Sequence, residues 1–97
     1  MLVALERFDL RIPGCGSLKE KRHVVKTLTE GLRSKFNVAV AEVDHHDLWQ
    51  RTTIAVSGVS GDGYHAKRVM HEVEKFVERW AEVEVIDADL TLHSPDD

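Results

Sequence analysis

Residues 2–12 alternate. Leu2, Ala4, Phe8, Leu10 and Ile12 share one parity, and Arg7, Asp9 and Arg11 share the other. A period of two marks a strand with one buried face. Pro13-Gly14-Cys15-Gly16 ends it. Ser17 then opens a helix. Ser17 at the N-cap with Glu20 three residues on has the form of a capping box. Leu18, Val25, Leu28, Leu32 and Phe36 recur at helical spacing, so the helix is expected over 17–36. Gly31 sits inside it, at a cost of about 1 kcal/mol against alanine.

Asn37 marks a turn, and 38–43 reads as a second strand, with Val38 and Val40 on one side and Ala39 and Ala41 on the other. His45-His46-Asp47 is a polar connector. Thr52 to Val59 forms a third strand, with Ile54 and Val56 on its larger face. After the turn-rich stretch Gly58 to Gly63 comes the strongest period in the chain. Tyr64, Ala66, Val69, Met70, Val73, Phe76, Val77 and Trp80 line one face of a second helix. A fourth strand runs from Val83 to Leu92. Its phase slips between Val85 and Ile86, which predicts a bulge there.

The order βαββαβ predicts an α+β ferredoxin-like sandwich, a four-stranded antiparallel sheet with two helices on one face. One domain is expected over 1–93, with a flexible tail over 94–97. The other sheet face stays open. It should carry Arg7, Asp9, Arg11, Ala39, Ala41, Thr53, Ala55 and Ser57. Its small, fairly apolar centre suits packing against another sheet or partner, so a homodimer through this face or through a strand edge is expected. Strands one and three place no aromatic on that face, which disfavours base stacking of the kind RNA-recognition motifs use.

Composition narrows the class. The 97 residues are 42% hydrophobic and 31% charged, which suits one folded core and excludes a polyelectrolyte. No apolar run reaches ~18 residues, so no membrane span is expected. Glu6, Arg7 and Asp9 interrupt the first apolar run, so a secretory leader is not expected. A lone cysteine, Cys15, excludes a disulfide framework and points to a cytoplasmic location. The net charge of −4 is uneven: residues 1–40 carry eight Lys and Arg against four Asp and Glu, and residues 41–97 carry five against thirteen. Any polyanion must therefore meet a local patch.

That patch is expected on the first helix. Lys19, Arg22, Lys26 and Arg33 fall within about 60° of arc at 100° per residue, a basic ribbon suited to phosphates. The bland alternative is a solvated charged face. Lys21 lies inside the apolar arc, so its stem should pack while its ammonium escapes at the rim. The Pro13–Ser17 turn before a helix N-terminus is an anion site in principle, but it lacks the phosphate-loop patterns, so a plain turn and cap is favoured. Cys15 has no evident Cys-His-Asn set. His45 and His46 are adjacent in an extended segment and point oppositely, so no metal site is expected. Trp49-Gln50-Arg51 puts an aromatic, an amide and a cation together. Trp49 is expected to cover the core edge, with Trp49 and Gln50 as the partner-binding alternative and Arg51 assisting the basic ribbon.

Ser17-Leu18-Lys19-Glu20-Lys21-Arg22, the stretch Lys35 to Asp44 and Asp47-Leu48-Trp49-Gln50-Arg51 resemble the YlxP-like family of small bacterial proteins of unknown function. The resemblance covers nearly the whole chain. It implies a ferredoxin-like fold, and the family's frequent gene neighbours, ribosome-binding factor A and translation initiation factors, imply a ribosome- or RNA-linked role. It carries over no catalytic residue. The sequence thus reads as a non-enzymatic cytoplasmic protein with no cofactor. Its expected partner is RNA or a ribosomal particle, met through Lys19, Lys21, Arg22, Lys26, Arg33 and Arg51. A homodimeric regulatory module that binds a small ligand or a protein is the alternative.

Overall fold

Alternation over the first strand, a capped amphipathic helix and two valine-rich strands build the first three-quarters of a sheet around one core. A computed structural model describes residues 1–95. The elements are β1 (Leu2–Arg11), α1 (Leu18–Lys35), β2 (Ala39–Asp44), β3 (Arg51–Ser60), α2 (Gly63–Glu78) and β4 (Glu84–His93). The strands form one antiparallel sheet in the order β2-β3-β1-β4, so the predicted α+β sandwich holds. Asp96 and Asp97, half of the expected tail, lie outside the described residues.

The register follows the alternation. Phe8 pairs with Ile54 and Arg7 with Ala55, so even-numbered residues of β1 and β3 face the helices and odd-numbered ones face away. Ala4, Phe8, Leu10, Ile54, Val56, Leu28, Leu32, Met70, Val73 and Val77 make up the buried centre. The expected bulge is present: Asp9 pairs with Asp87 but Leu10 with Val85, which leaves Ile86 as the extra residue. A second bulge was not foreseen. Glu42 pairs with Ile54 and Asp44 with Thr53, so Val43 is skipped and stands exposed. Both bulges lie on the outermost strands.

Three packing details depart from the pattern read in the sequence. Helix α2 ends at Glu78, and Trp80 closes the turn beyond it by accepting the Val83 N–H. Tyr64, expected on the core face, is 71% exposed, with the Arg68 guanidinium 5.9 Å from its ring centroid. It sits in the first turn of α2, with its ring turned out to solvent. In α1 the buried residues are Lys21, Val24, Leu28, Thr29 and Leu32, with Val25 only partly buried beside them. Gly31 has a packing reason. A Cβ there would stand 3.0 Å from Phe76 Cζ and 3.4 Å from the Trp80 ring, so the missing side chain lets the α2 aromatics approach α1.

One polar group sits on the wrong side of the alternation. Glu6 faces the helices and is 1% exposed, and its Oε1 has no hydrogen-bond partner. Burial pushes its carboxyl up to about 8, with repulsion from Glu74 and a proton shared with Glu74 next, then repulsion from Asp89 and Glu78. Glu6 is therefore protonated at neutral pH.

Candidate nucleic-acid interface

Helix α1 begins on a variant of the capping box, in which the Glu20 carboxylate reaches one residue beyond the N-cap Ser17. Ser17 Oγ accepts the Glu20 N–H at 3.1 Å, and Glu20 Oε2 accepts the Gly16 N–H at 2.9 Å. The protein's own carboxylate therefore occupies the place where the Pro13–Ser17 turn would receive an anion. Cys15 is buried, with its thiol directed at the Ser17 carbonyl, 3.4 Å away.

Beyond that cap the cations separate into distinct environments. Lys19, Arg22 and Lys26 are exposed, and among the described residues none of them forms an ion pair or a side-chain hydrogen bond. They span about 10 Å of helix at 1.5 Å per residue. Of the other cations, Arg7 pairs with Asp87, Arg51 with Asp9 and Lys75 with Glu72, whereas Arg11, Lys35, Lys67, Arg68 and Arg79 also have no ion pair among the described residues. Arg33 stands farther along the ribbon, but its guanidinium donates to the Val40 carbonyl at 2.6 Å. Glu30, exposed between Lys26 and Arg33 on the same arc, interrupts the positive run.

Lys21 leaves the ribbon altogether. It is 1% exposed, and its ammonium stays inside. Nζ donates to the His45 carbonyl at 2.7 Å and the His46 carbonyl at 3.0 Å, and pairs with Glu42 Oε2 at 2.7 Å. Burial alone would raise the Glu42 carboxyl, but the hydrogen bonds from Lys21 and Thr52 outweigh it and hold the group below the usual carboxylate range. The three acceptors explain why the stem does not extend to the rim as expected. They satisfy every proton of the ammonium where it is. They also fix the β2–β3 connector, in which His45 takes the left-handed φ of 60°.

Arg51 is separated from the ribbon as well. It pairs with Arg11 in the register and so faces away from the helices, with its guanidinium 3.9 Å from Asp9. It cannot assist α1 in holding one strand of phosphates. Trp49, expected over the core edge, is instead 51% exposed on the pinned connector beside exposed Leu48. Gln50 is a structural clasp: its side chain donates to the Cys15 carbonyl at 3.2 Å, and its own carbonyl accepts the Ile12 N–H at 2.9 Å. His46 Nε2 lies 3.2 Å from the Glu42 carbonyl, and no cluster of three metal-ligating side chains occurs among the described residues. The open face carries the eight residues expected of it, none aromatic.

The topology also assembles a group that sequence spacing hides. The end of α1 and the start of α2 bring Lys35, Phe36, Tyr64, His65, Lys67 and Arg68 to one end of the molecule. Lys67-Arg68 beside a tyrosine was the local signal, but its junction with Lys35 needs the fold. Among the described residues, no helix is long and apolar enough to cross a membrane.

The chain is similar to known proteins at two levels. Residues 3–90 match a protein family of unknown function, DUF503. The uncharacterized protein YlxP of Bacillus subtilis is 36% identical over 83 residues, which cover 86% of this chain and 90% of that protein. Among solved structures, the de novo designed protein Foldit4 superposes with a TM-score of 0.54 at 10% identity, over 97% of this chain and 98% of that one. A C-terminal segment of the alpha subunit of aIF2 from Pyrococcus abyssi gives 0.51 at 16% identity, over 96% of this chain and 51% of that one. At these identities the structural likeness concerns the fold alone.

Proposed function

This chain belongs to the DUF503 family of unknown function, and within it we propose that the domain is a non-enzymatic RNA-binding module whose contact surface is the first half of α1. The observation that carries the reading is the exposure of Lys19, Arg22 and Lys26 without ion pairs, in a chain where 17 carboxylates outnumber 13 Lys and Arg. Other cations are unpaired too, but these three stand on one ridge of one helix, and that clustering favours an external anion. The three heads over about 10 Å of helix match two or three consecutive phosphates, with little capacity to read bases. Arg33 is a peripheral contact, and Lys21 and Arg51 take no part.

The test is a titration of labelled single-stranded RNA across a salt series, alongside co-sedimentation with ribosomal subunits. With about three phosphates neutralised, log K should fall with log salt at a slope near −2, from about 0.7 per contact. Replacing Lys19, Arg22 and Lys26 together by alanine should remove binding while the fold persists. Absence of low-salt binding, or a triple variant that binds as well as the parent, refutes the reading.

A second reading, a homodimeric regulatory module, has one specific support. On the open sheet face Leu5 is 45% and Val59 is 72% exposed, while Arg7, Asp9 and Arg11 of β1 run beside the β4 carboxylates Asp89, Asp87 and Glu84. An apolar end beside a face that carries both signs of charge suits a two-fold contact with a second copy. Sedimentation of the protein and of Leu5→Asp/Val59→Asp decides it: a dimer abolished by the double change supports the reading, and a monomer at high concentration refutes it.

A further inference from the structure

We infer that the cavity between the end of α1 and the start of α2 binds a small amphipathic carboxylate. The cavity has a volume of about 290 Å³. Its floor is Ala4, Ala66 and Met70, all buried, and Phe36 and Val69 form its walls. Gly58 widens one side. At about 30 Å³ per water-sized unit, the space takes a body of about ten non-hydrogen atoms.

The rim supplies the other half of the argument. Lys35, Asn37, Ser60 and His65 stand there, and among the described residues no Asp or Glu lines the cavity. Ser60 is engaged, donating to the Asp62 carbonyl at 2.9 Å and accepting its N–H at 3.1 Å. Lys35, Asn37 and His65 keep their side-chain donors free of hydrogen bonds and ion pairs among the described residues. The Lys35 ammonium is held near the mouth, 5.7 Å from the Phe36 ring centroid and 5.6 Å from that of Phe76. The charge of the rim therefore calls for an anionic head, and the floor calls for an apolar tail. A nucleotide fits worse. The polar edge of its base would face Ala4, Ala66 and Met70, which offer it no side-chain hydrogen bond. Lys35 lies on the opposite arc of α1 from Lys19, so this site and the RNA surface stand or fall separately.

The test uses phenylbutyrate as the probe, its neutral amide as the control for charge, and adenosine monophosphate as the rival ligand, each titrated into ¹⁵N-labelled protein. Phenylbutyrate should shift the amide signals of Gly58, Ala66 and Met70 saturably. The neutral amide and the Lys35→Glu variant should each bind at least tenfold more weakly. Gly58→Ala adds a methyl group 3.5 Å from Met70 Cε, an ordinary contact, and should weaken binding severalfold in a folded protein. No saturable shift at millimolar probe, equal binding of acid and amide, an unaffected Lys35→Glu protein, or tighter binding of the nucleotide each overturns the assignment.

Discussion

Replacing Glu6 by glutamine should stabilise this protein, and by more as pH rises. The side chain is 1% exposed on the helix-facing side of β1 and opposite Leu90 of β4, with one oxygen unpaired and the Glu74 carboxylate at hand. Its carboxyl lies near 8 in the folded protein, against an ordinary value of 4.5 in the unfolded chain. The folded state therefore holds a proton that the unfolded state has released over that interval. Stability must fall with rising pH between those values, by up to about 1.4 kcal/mol per unit. Across the whole interval the loss approaches about 5 kcal/mol. Movement of Glu74 away from Glu6 would reduce that loss but not remove it, because burial is the largest cause of the shift. Glutamine keeps the shape and a donor for Glu74 but cannot ionise. Urea denaturation of both proteins from pH 5 to 9 measures the effect. The stability gap should widen from pH 5 to about pH 8 and then level off, reaching at most about 5 kcal/mol, which is a large share of the ~5–15 kcal/mol of a typical domain. Two curves that run parallel over that range would refute the protonated, buried state.

Further outcomes rest on other contacts. Lys21→Met should cost about 3 kcal/mol by stranding Glu42, and it should speed amide exchange over 45–48 while leaving RNA affinity unchanged in the folded fraction. Glu42 has its carboxyl lowered, so its contribution is present at neutral pH and is lost as pH falls through the carboxylate range; acid denaturation of Glu42→Gln should show a weaker low-pH limb than the parent. Gly31→Val should destabilise by about 1–3 kcal/mol in thermal melts, because its side chain meets Phe76 and Trp80, and unchanged melting would refute the crossing contact.

Most of the architecture was legible from local pattern. Alternation over Leu2–Ile12, the Ser17/Glu20 cap and the parity slip at Val85/Ile86 are consequences of side-chain period, which neighbours in sequence reveal. The bulge at Val43 was not legible, because the alternation Val38–Val43 continues through it and only the pairing with β3 exposes the skipped residue. The site was legible in part. Helical spacing located Lys19, Arg22 and Lys26 on one ridge, but not the fate of Lys21. Its acceptors come from a connector 24 and 25 residues away, so no helical wheel can show them. Trp49 was misjudged because a tryptophan's size favours burial on average, whereas this one lies on a connector that Lys21 and Gln50 anchor from behind. Glu6 was read only as a charge interrupting the first apolar run: its parity puts it on the core face, and only packing shows that Glu74 lies beside it there.

The two outermost ribbons of the sheet each carry an irregular step, at Val43 and at Ile86. A foreign chain zipping onto either side would meet a break in its ladder at that step, which shortens the stretch it can extend. A two-fold contact through a broad surface, by contrast, is complete once a pair has formed. Concentrated solutions of this small acidic protein should therefore stay clear, and straightening either step by deleting the surplus residue should make them cloud.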